Sequence, residues 1–148
     1  MEIKKRYTFK KEEKLKSRKT IEGLFKDGKS FSNFPFRVLW KFTETTVAPL
    51  QTGFAVSSKN FKKAVHRNRI KRLMREAYRL QKNDLQCLLT QQPTGPGHQG
   101  PLGGQKQLAV FIIYVGNELP EYDLIFDKTT HALNRLIKIT HEDSSADT

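Results

Sequence analysis

Lys59–Gln81 reads KNFKKAVHRNRIKRLMREAYRLQ, and its spacing decides what the rest of the chain must build around it. From Val65 onward Ile70, Leu73, Met74, Ala77 and Leu80 recur at three and four, the period that gathers them on one face of a helix. Asn68, Lys71, Arg72, Arg75 and Arg79 fall on the opposite face, with Arg67 and Arg69 at its borders. The acid of that face, Glu76, stands four residues after Arg72 and is placed to pair with it. Like charges stacked on successive turns repel and weaken a helix, so such a face implies a polyanionic partner. Guanidinium forks match phosphate oxygens and release counterions when they bind them. Asn68, between two arginines near the helix start, has an amide suited to a phosphate or a base edge.

A helix with one apolar face needs a second layer to cover it. Phe36, Val38, Trp40 and Phe42 alternate with Arg37, Leu39 and Lys41, which predicts a strand whose second face is at least partly open. Pro35 suits the start of that strand. Gln51–Ser57 (QTGFAVS) predicts a second strand. Leu108–Val115 (LAVFIIYV) predicts a third, apolar enough to be central and buried on both faces. Upstream, Lys14–Lys26 predicts a short helix with Leu15, Ile21, Leu24 and Phe25 on its apolar side, ended at Asp27-Gly28 by a left-handed glycine. Downstream, Tyr122–Ile139 predicts a helix whose stripe runs through Leu124, Ile125, Lys128, Ala132, Leu136 and Ile139. Residues 91–107, rich in Gly and Pro, read as a flexible loop. The order helix, strand, strand, helix, strand, helix fits an α+β fold, a small two-layer sandwich of helices on a sheet. We read residues 1–13 as a loosely packed basic arm, 14–140 as one α/β domain and 141–148 as a frayed polar tail.

The chain of 148 residues carries 27 Lys and Arg against 15 Asp and Glu, a formal charge of +12. Residues 4–19 and 59–79 hold nine cations each, so two thirds of the positive charge lies in two windows. Concentrated charge of this kind marks a binding surface, with nucleic acid the first class of partner and anionic membrane and acidic protein the weaker ones; charge alone does not select among them. A single cysteine, Cys87, excludes an internal disulfide framework and a thiolate zinc site. No apolar run is long enough to span a bilayer, and the basic start lacks the apolar stretch of a secretory signal. The expectation is a cytoplasmic protein with no membrane partner.

The same chain is poor in catalytic chemistry. His66, His98, His131 and His141 are scattered, with no metal-binding spacing between them. A general base at His66 would need a nucleophile and an orienting partner, and the sequence offers neither. Glu118, Glu121, Asp123 and Asp127 are placed where the dipole of the last helix favours acids, which accounts for them without a metal pair. No catalytic residue is therefore assigned.

The run Ala64-Val65-His66-Arg67-Asn68-Arg69-Ile70-Lys71-Arg72-Leu73-Met74-Arg75-Glu76-Ala77-Tyr78-Arg79 resembles the arginine-rich signature of the bacterial ribonuclease P protein components. The likeness extends through Gly53-Phe54-Ala55-Val56-Ser57 and Lys59, the first helix, the apolar strand and the closing helix, and leaves out 91–107 and both tails. It implies a fold like domain 2 of ribosomal protein S5, with a left-handed βαβ crossover, although the general rule is right-handed. It also implies the protein subunit of an RNA-based endoribonuclease, accessory and not catalytic alone. That enzyme removes the 5′ leader of precursor tRNA and leaves a 5′-phosphate on the mature tRNA. The implied partners are the catalytic RNA and precursor tRNA, with no obligate protein partner, and the implied cofactor is a divalent metal, Mg2+, held mainly by RNA and substrate. Carried over by position, Lys59, Lys63, Arg67, Asn68, Arg69, Lys71, Arg72 and Arg75 would face the catalytic RNA. Ile21, Phe25, Phe36, Arg37, Trp40 and Lys41 would line the leader groove. Three positions depart from the family pattern: Ile21 replaces an aromatic, Lys62 a glycine and Asn60 a lysine. The alternatives are a non-catalytic structured-RNA binder of the same fold, a ribosomal protein or RNA chaperone, and an autonomous nuclease.

Overall fold

The structure, a computed structural model, describes residues 9, 11–43, 48–91 and 107–146. A 3-10 turn at Lys11–Glu13 precedes α1 (Arg18–Asp27), β1 (Lys29–Asn33), β2 (Phe36–Thr43) and β3 (Leu50–Val56). Then come α2 (Ala64–Gln81), α3 (Asn83–Gln91), β4 (Gln107–Tyr114) and α4 (Tyr122–Ala146). The sheet order is β1-β2-β4-β3. β1 and β2 form an antiparallel hairpin, β2 and β4 are antiparallel, and β3 pairs in parallel with β4. A parallel pair needs a crossover, and α2 and α3 supply it.

Alternation along the strands divides the sheet into two faces. Phe36, Val38 and Trp40 of β2 point with Leu108, Val110, Ile112 and Tyr114 of β4 into the main core, against Ile70, Met74, Tyr78, Ile125 and Leu136 of the helices. On the other face Leu15, Leu24, Leu39 and Ala109 form a smaller cluster under α1. The mixed α+β fold is as expected, with α2, α3 and α4 as the helical layer. α1 adds a partial cover to the second face.

Several boundaries differ from the sequence reading. α1 starts at Arg18, where the Ser17 side chain accepts from the Thr20 amide at 3.3 Å, and Lys14–Ser17 lie outside the helix. Gly28 does end α1, but with φ −72° it is not left-handed. Its glycine is required because a Cβ would sit 2.4 Å from the Leu24 carbonyl oxygen. β1 and α3 were not anticipated: β1 is short and has Ser at alternate positions, and α3 joins the core through Leu85 and Leu89. α4 runs to Ala146, so the segment from 141 to 146 is helical, not a frayed tail. Leu124, assigned to its apolar stripe, is exposed. Most of the 91–107 loop, 92–106, lies outside the described residues.

The described part of the N-terminal arm is packed. Phe9 lies edge-on to Tyr78 and Phe54, with ring centroids 5.3 and 6.1 Å away. Gln51 Nε2 donates to Glu12 O at 2.8 Å, and the Leu15 amide donates to Thr52 O at 3.1 Å. Glu13 and Lys82, both buried, form an ion pair to which Gln86 Nε2 adds a 3.0 Å hydrogen bond. These residues form a strap along the outer edge of β3, which shields backbone groups that a sheet edge otherwise offers to other chains.

Candidate nucleic-acid interface

α2 forms because its buried positions, Ile70, Met74, Ala77 and Tyr78, recur on the side that faces β3 and α4. Tyr78 was assigned to neither face by the sequence; its hydroxyl accepts from Thr52 Oγ1 at 2.7 Å, and burial pushes the phenol pKa far above its usual value. Leu73 is half-buried and Leu80 is exposed at the rim. The outer side presents Asn68, Arg69, Arg72 and Arg75 to solvent, with Lys71 half-buried. Glu76 pairs with Arg79, not with Arg72: Nε donates to Oε2 at 3.1 Å and Nη2 to Oε1 at 2.5 Å. The planar guanidinium reaches back one turn bidentately, and this pairing holds the Glu76 carboxyl below its usual pKa. Among the described residues Arg69, Lys71, Arg72 and Arg75 have no carboxylate partner. Their repulsion is left for a polyanion to relieve.

The loop from Ser57 to Lys63 joins the end of β3 to α2 and carries Lys59, Lys62 and Lys63, all exposed. Phe61 is buried with its ring 6.0 Å from Tyr114. Asn60 Nδ2 donates to the carbonyls of Val115 and Gly116 at 3.0 and 3.2 Å, tying the loop to the exit of β4. Arg67 turns back from the first turn of α2, and its Nη1 donates to Phe61 O at 2.7 Å and Lys62 O at 2.8 Å.

On the α1 face of the sheet, register sets out rows of side chains. Ser32, Arg37, Ile113 and Ala55 make one row, and Ser30, Leu39, Phe111 and Gly53 the next. Arg37 is exposed, as is Lys41 farther along β2. Phe25 of α1 is 59% exposed and lies edge-on to Phe111, with centroids 5.8 Å apart. A Cβ at Gly53 would come within 2.8 Å of the Phe111 ring, so glycine is what lets this ring lie over β3. Ile21 packs partly buried beside the small cluster under α1. These residues form the candidate groove: Phe25 is exposed, Ile21, Phe111 and Ile113 are half-buried, and Arg37 and Lys41 stand exposed on the same face of the sheet.

Two residues expected in this groove are not in it. Phe36 and Trp40 lie on the opposite face, in the main core, 1% and 9% exposed. Strand alternation separates them from Arg37 and Lys41, so one groove cannot hold both sets. The Trp40 ring instead lies beneath Lys29 Nζ at 5.5 Å and edge-on to Phe42. The groove's own aromatic from the sheet is Phe111, which the sequence reading buried with the rest of β4. No local signal marked it: Phe111 shares its face with Ile113, whose pairing with Arg37 on that open face is a long-range register that the sequence does not specify.

Among the described residues no three His, Cys, Asp or Glu side chains are grouped so as to hold a metal ion. No helix among them is long and apolar enough to cross a membrane.

The family model described as Ribonuclease P matches residues 9–92. The ribonuclease P protein component of Porphyromonas gingivalis is 35% identical over 113 residues, covering 76% of this chain and 74% of that one. That of Chlorobium phaeobacteroides is 32% identical over 133 residues, covering 87% and 88%. Among solved structures, the RNase P protein of Staphylococcus aureus aligns with a TM-score of 0.60 at 21% identity, covering 84% of this chain and 94% of that chain. The RNase P protein from Thermotoga maritima aligns with a TM-score of 0.57 at 24% identity, covering 83% and 96%. These two show the likeness of fold.

Proposed function

Because the chain belongs to the ribonuclease P protein family, we propose that it serves the ribonucleoprotein as an accessory, RNA-binding subunit with no catalytic residue of its own. Its α2 face and the 57–63 loop bind the catalytic RNA, through Lys59, Lys63, Asn68, Arg69, Lys71, Arg72 and Arg75. The groove on the far side of the sheet takes the single-stranded 5′ leader of precursor tRNA. Phe25, Phe111 and Ile21 offer the bases an apolar and aromatic surface, and Arg37 and Lys41 meet the phosphates. Stacking of this kind tolerates any sequence, since every base has a π-face, and a leader varies in sequence. The observation that carries the reading is Arg69, Arg72 and Arg75 with no carboxylate partner among the described residues on one side of the molecule and exposed Phe25 over Phe111 on the other.

The chemistry then belongs to the RNA. The divalent ion, Mg2+, is held by RNA and substrate, and the products are mature tRNA with a 5′-phosphate and a leader with a 3′-hydroxyl. The protein lowers the repulsion between two polyanions and fixes the leader. The site of action is the cytoplasm.

Reconstitution tests this. Mixed with the cognate catalytic RNA at low magnesium, the protein should stimulate removal of the leader. Absence of stimulation would count against the proposal, and equal affinity of the assembled particle for precursor and mature tRNA would favour a general structured-RNA binder. Cleavage by purified protein without RNA would mark an autonomous nuclease. Arg72→Ala is expected to weaken binding of the catalytic RNA and to flatten the plot of log affinity against log salt by about 0.7–0.9, one phosphate contact. An unchanged slope would show that Arg72 does not touch phosphate.

A further inference from the structure

We propose that Arg67 is a positioning residue that fixes the lysine-bearing loop before α2, and that it acts on RNA through that loop. The inference rests on the RNA-binding reading above and separates Arg67 from Arg69, Arg72 and Arg75, with which its sequence groups it.

Asn68, Arg69, Arg72 and Arg75 extend into solvent, whereas Arg67 is half-buried and folded back toward the loop. One nitrogen, Nη1, spans two successive carbonyls, those of Phe61 and Lys62. Helix formation cannot satisfy both oxygens, because they precede the first turn of α2. Lys63, at the N-cap position, makes no side-chain capping bond, so Arg67 is the side chain that braces this entry. The brace completes a set of three fixings, with Asn60 bonded to Val115 and Gly116 and Phe61 seated in the core. Together they hold Lys59, Lys62 and Lys63, all exposed, as a preformed cationic platform at the entry to the arginine helix. A platform fixed before binding loses less conformational entropy when it meets phosphate than three free lysines would. The bond to the Lys62 carbonyl constrains a residue whose exposed side chain adds a cation to the platform.

Two measurements decide the matter. In free protein, Arg67→Met should speed amide hydrogen exchange across residues 58–63 by about tenfold, as expected for loss of two ordinary hydrogen bonds, and Arg72→Met should leave it unchanged. For binding to the cognate catalytic RNA, Arg67→Met is combined with Lys59→Gln, Lys62→Gln and Lys63→Gln. In that loop-neutral background Arg67→Met should change affinity by less than about twofold, while Arg72→Met still weakens it, because coupled residues are non-additive and independent ones add. An undiminished effect of Arg67→Met in the loop-neutral background would mean a direct phosphate contact and would overturn the proposal. Arg67→Lys, whose ammonium can also bridge two carbonyls, covers the case in which the Met variant does not fold. Loop protection and RNA affinity should then stand or fall together, and either one recovering without the other would overturn the proposal. The exchange experiment uses no RNA. A braced loop in a protein that does not bind the catalytic RNA would sink the functional reading and leave the brace standing.

Discussion

Replacing Lys82 with Met is expected to lower the free energy of unfolding by about 3–5 kcal/mol, because it leaves the Glu13 carboxylate buried without its ammonium. Lys82 is 2% exposed and Glu13 5%. At that depth the desolvation of each ion is offset by the other, and removing one uncovers the full cost of its partner. The loss is a large share of the roughly 5–15 kcal/mol that holds a domain together. Thermal and urea unfolding should show it. The paired change Lys82→Met with Glu13→Leu should recover most of the loss, since a buried ion pair and an apolar pair of similar volume are often close in stability. If the single variant unfolds like the parent, Glu13 and Lys82 are not jointly buried in solution.

Phe25 and Phe36 are expected to give opposite phenotypes when each is cut back to Ala. Phe36, in the main core, should cost about 3–5 kcal/mol of stability, the usual range for removing a buried aromatic side chain. Phe25, more than half exposed, should cost little stability. In the assembled particle it should weaken binding of precursor tRNA, but not of mature tRNA, by about 1–3 kcal/mol, the worth of one stacked base. Chemical denaturation and a comparison of the two tRNAs supply both readouts. A Phe36→Ala protein with normal stability and impaired leader binding would restore Phe36 to the groove.

That contrast shows where the sequence was legible and where it was not. The apolar stripe through Ile70, Met74 and Ala77 and the alternation from Phe36 to Phe42 depend only on local periodicity, and both are seen. Which face of β2 the helices would cover is a long-range fact, set by the side on which the β3–α2–α3–β4 connection packs. Periodicity defines the two faces of β2 and leaves their roles open; it is the resemblance, carried over by position, that puts Phe36 and Trp40 in one groove with Arg37 and Lys41, and alternation along β2 separates them. β4 failed for the opposite reason: its run is apolar on both faces, so nothing local separates covered Ala109 from half-open Phe111. Glu13 and Lys82 are 69 residues apart, and each alone reads as an ordinary surface charge. Arg67 shares the composition of the arginine face, and its distinct use depends on carbonyl groups that a sequence does not locate.

The strap along β3 has a consequence for synthesis on the ribosome. Its residues emerge well before their partners: Gln51 is 39 residues beyond Glu12, and Lys82 is later still. β3 must in turn wait for β4, since Phe54 pairs with Ile112. Glu12, Glu13 and Leu15 of the nascent chain thus stay without these partners until most of the domain has been translated, whereas the β1–β2 hairpin can close at once from neighbouring residues. The shielding of the β3 edge is therefore a late event, and the interval before it is when an incomplete chain is most exposed to pairing with another.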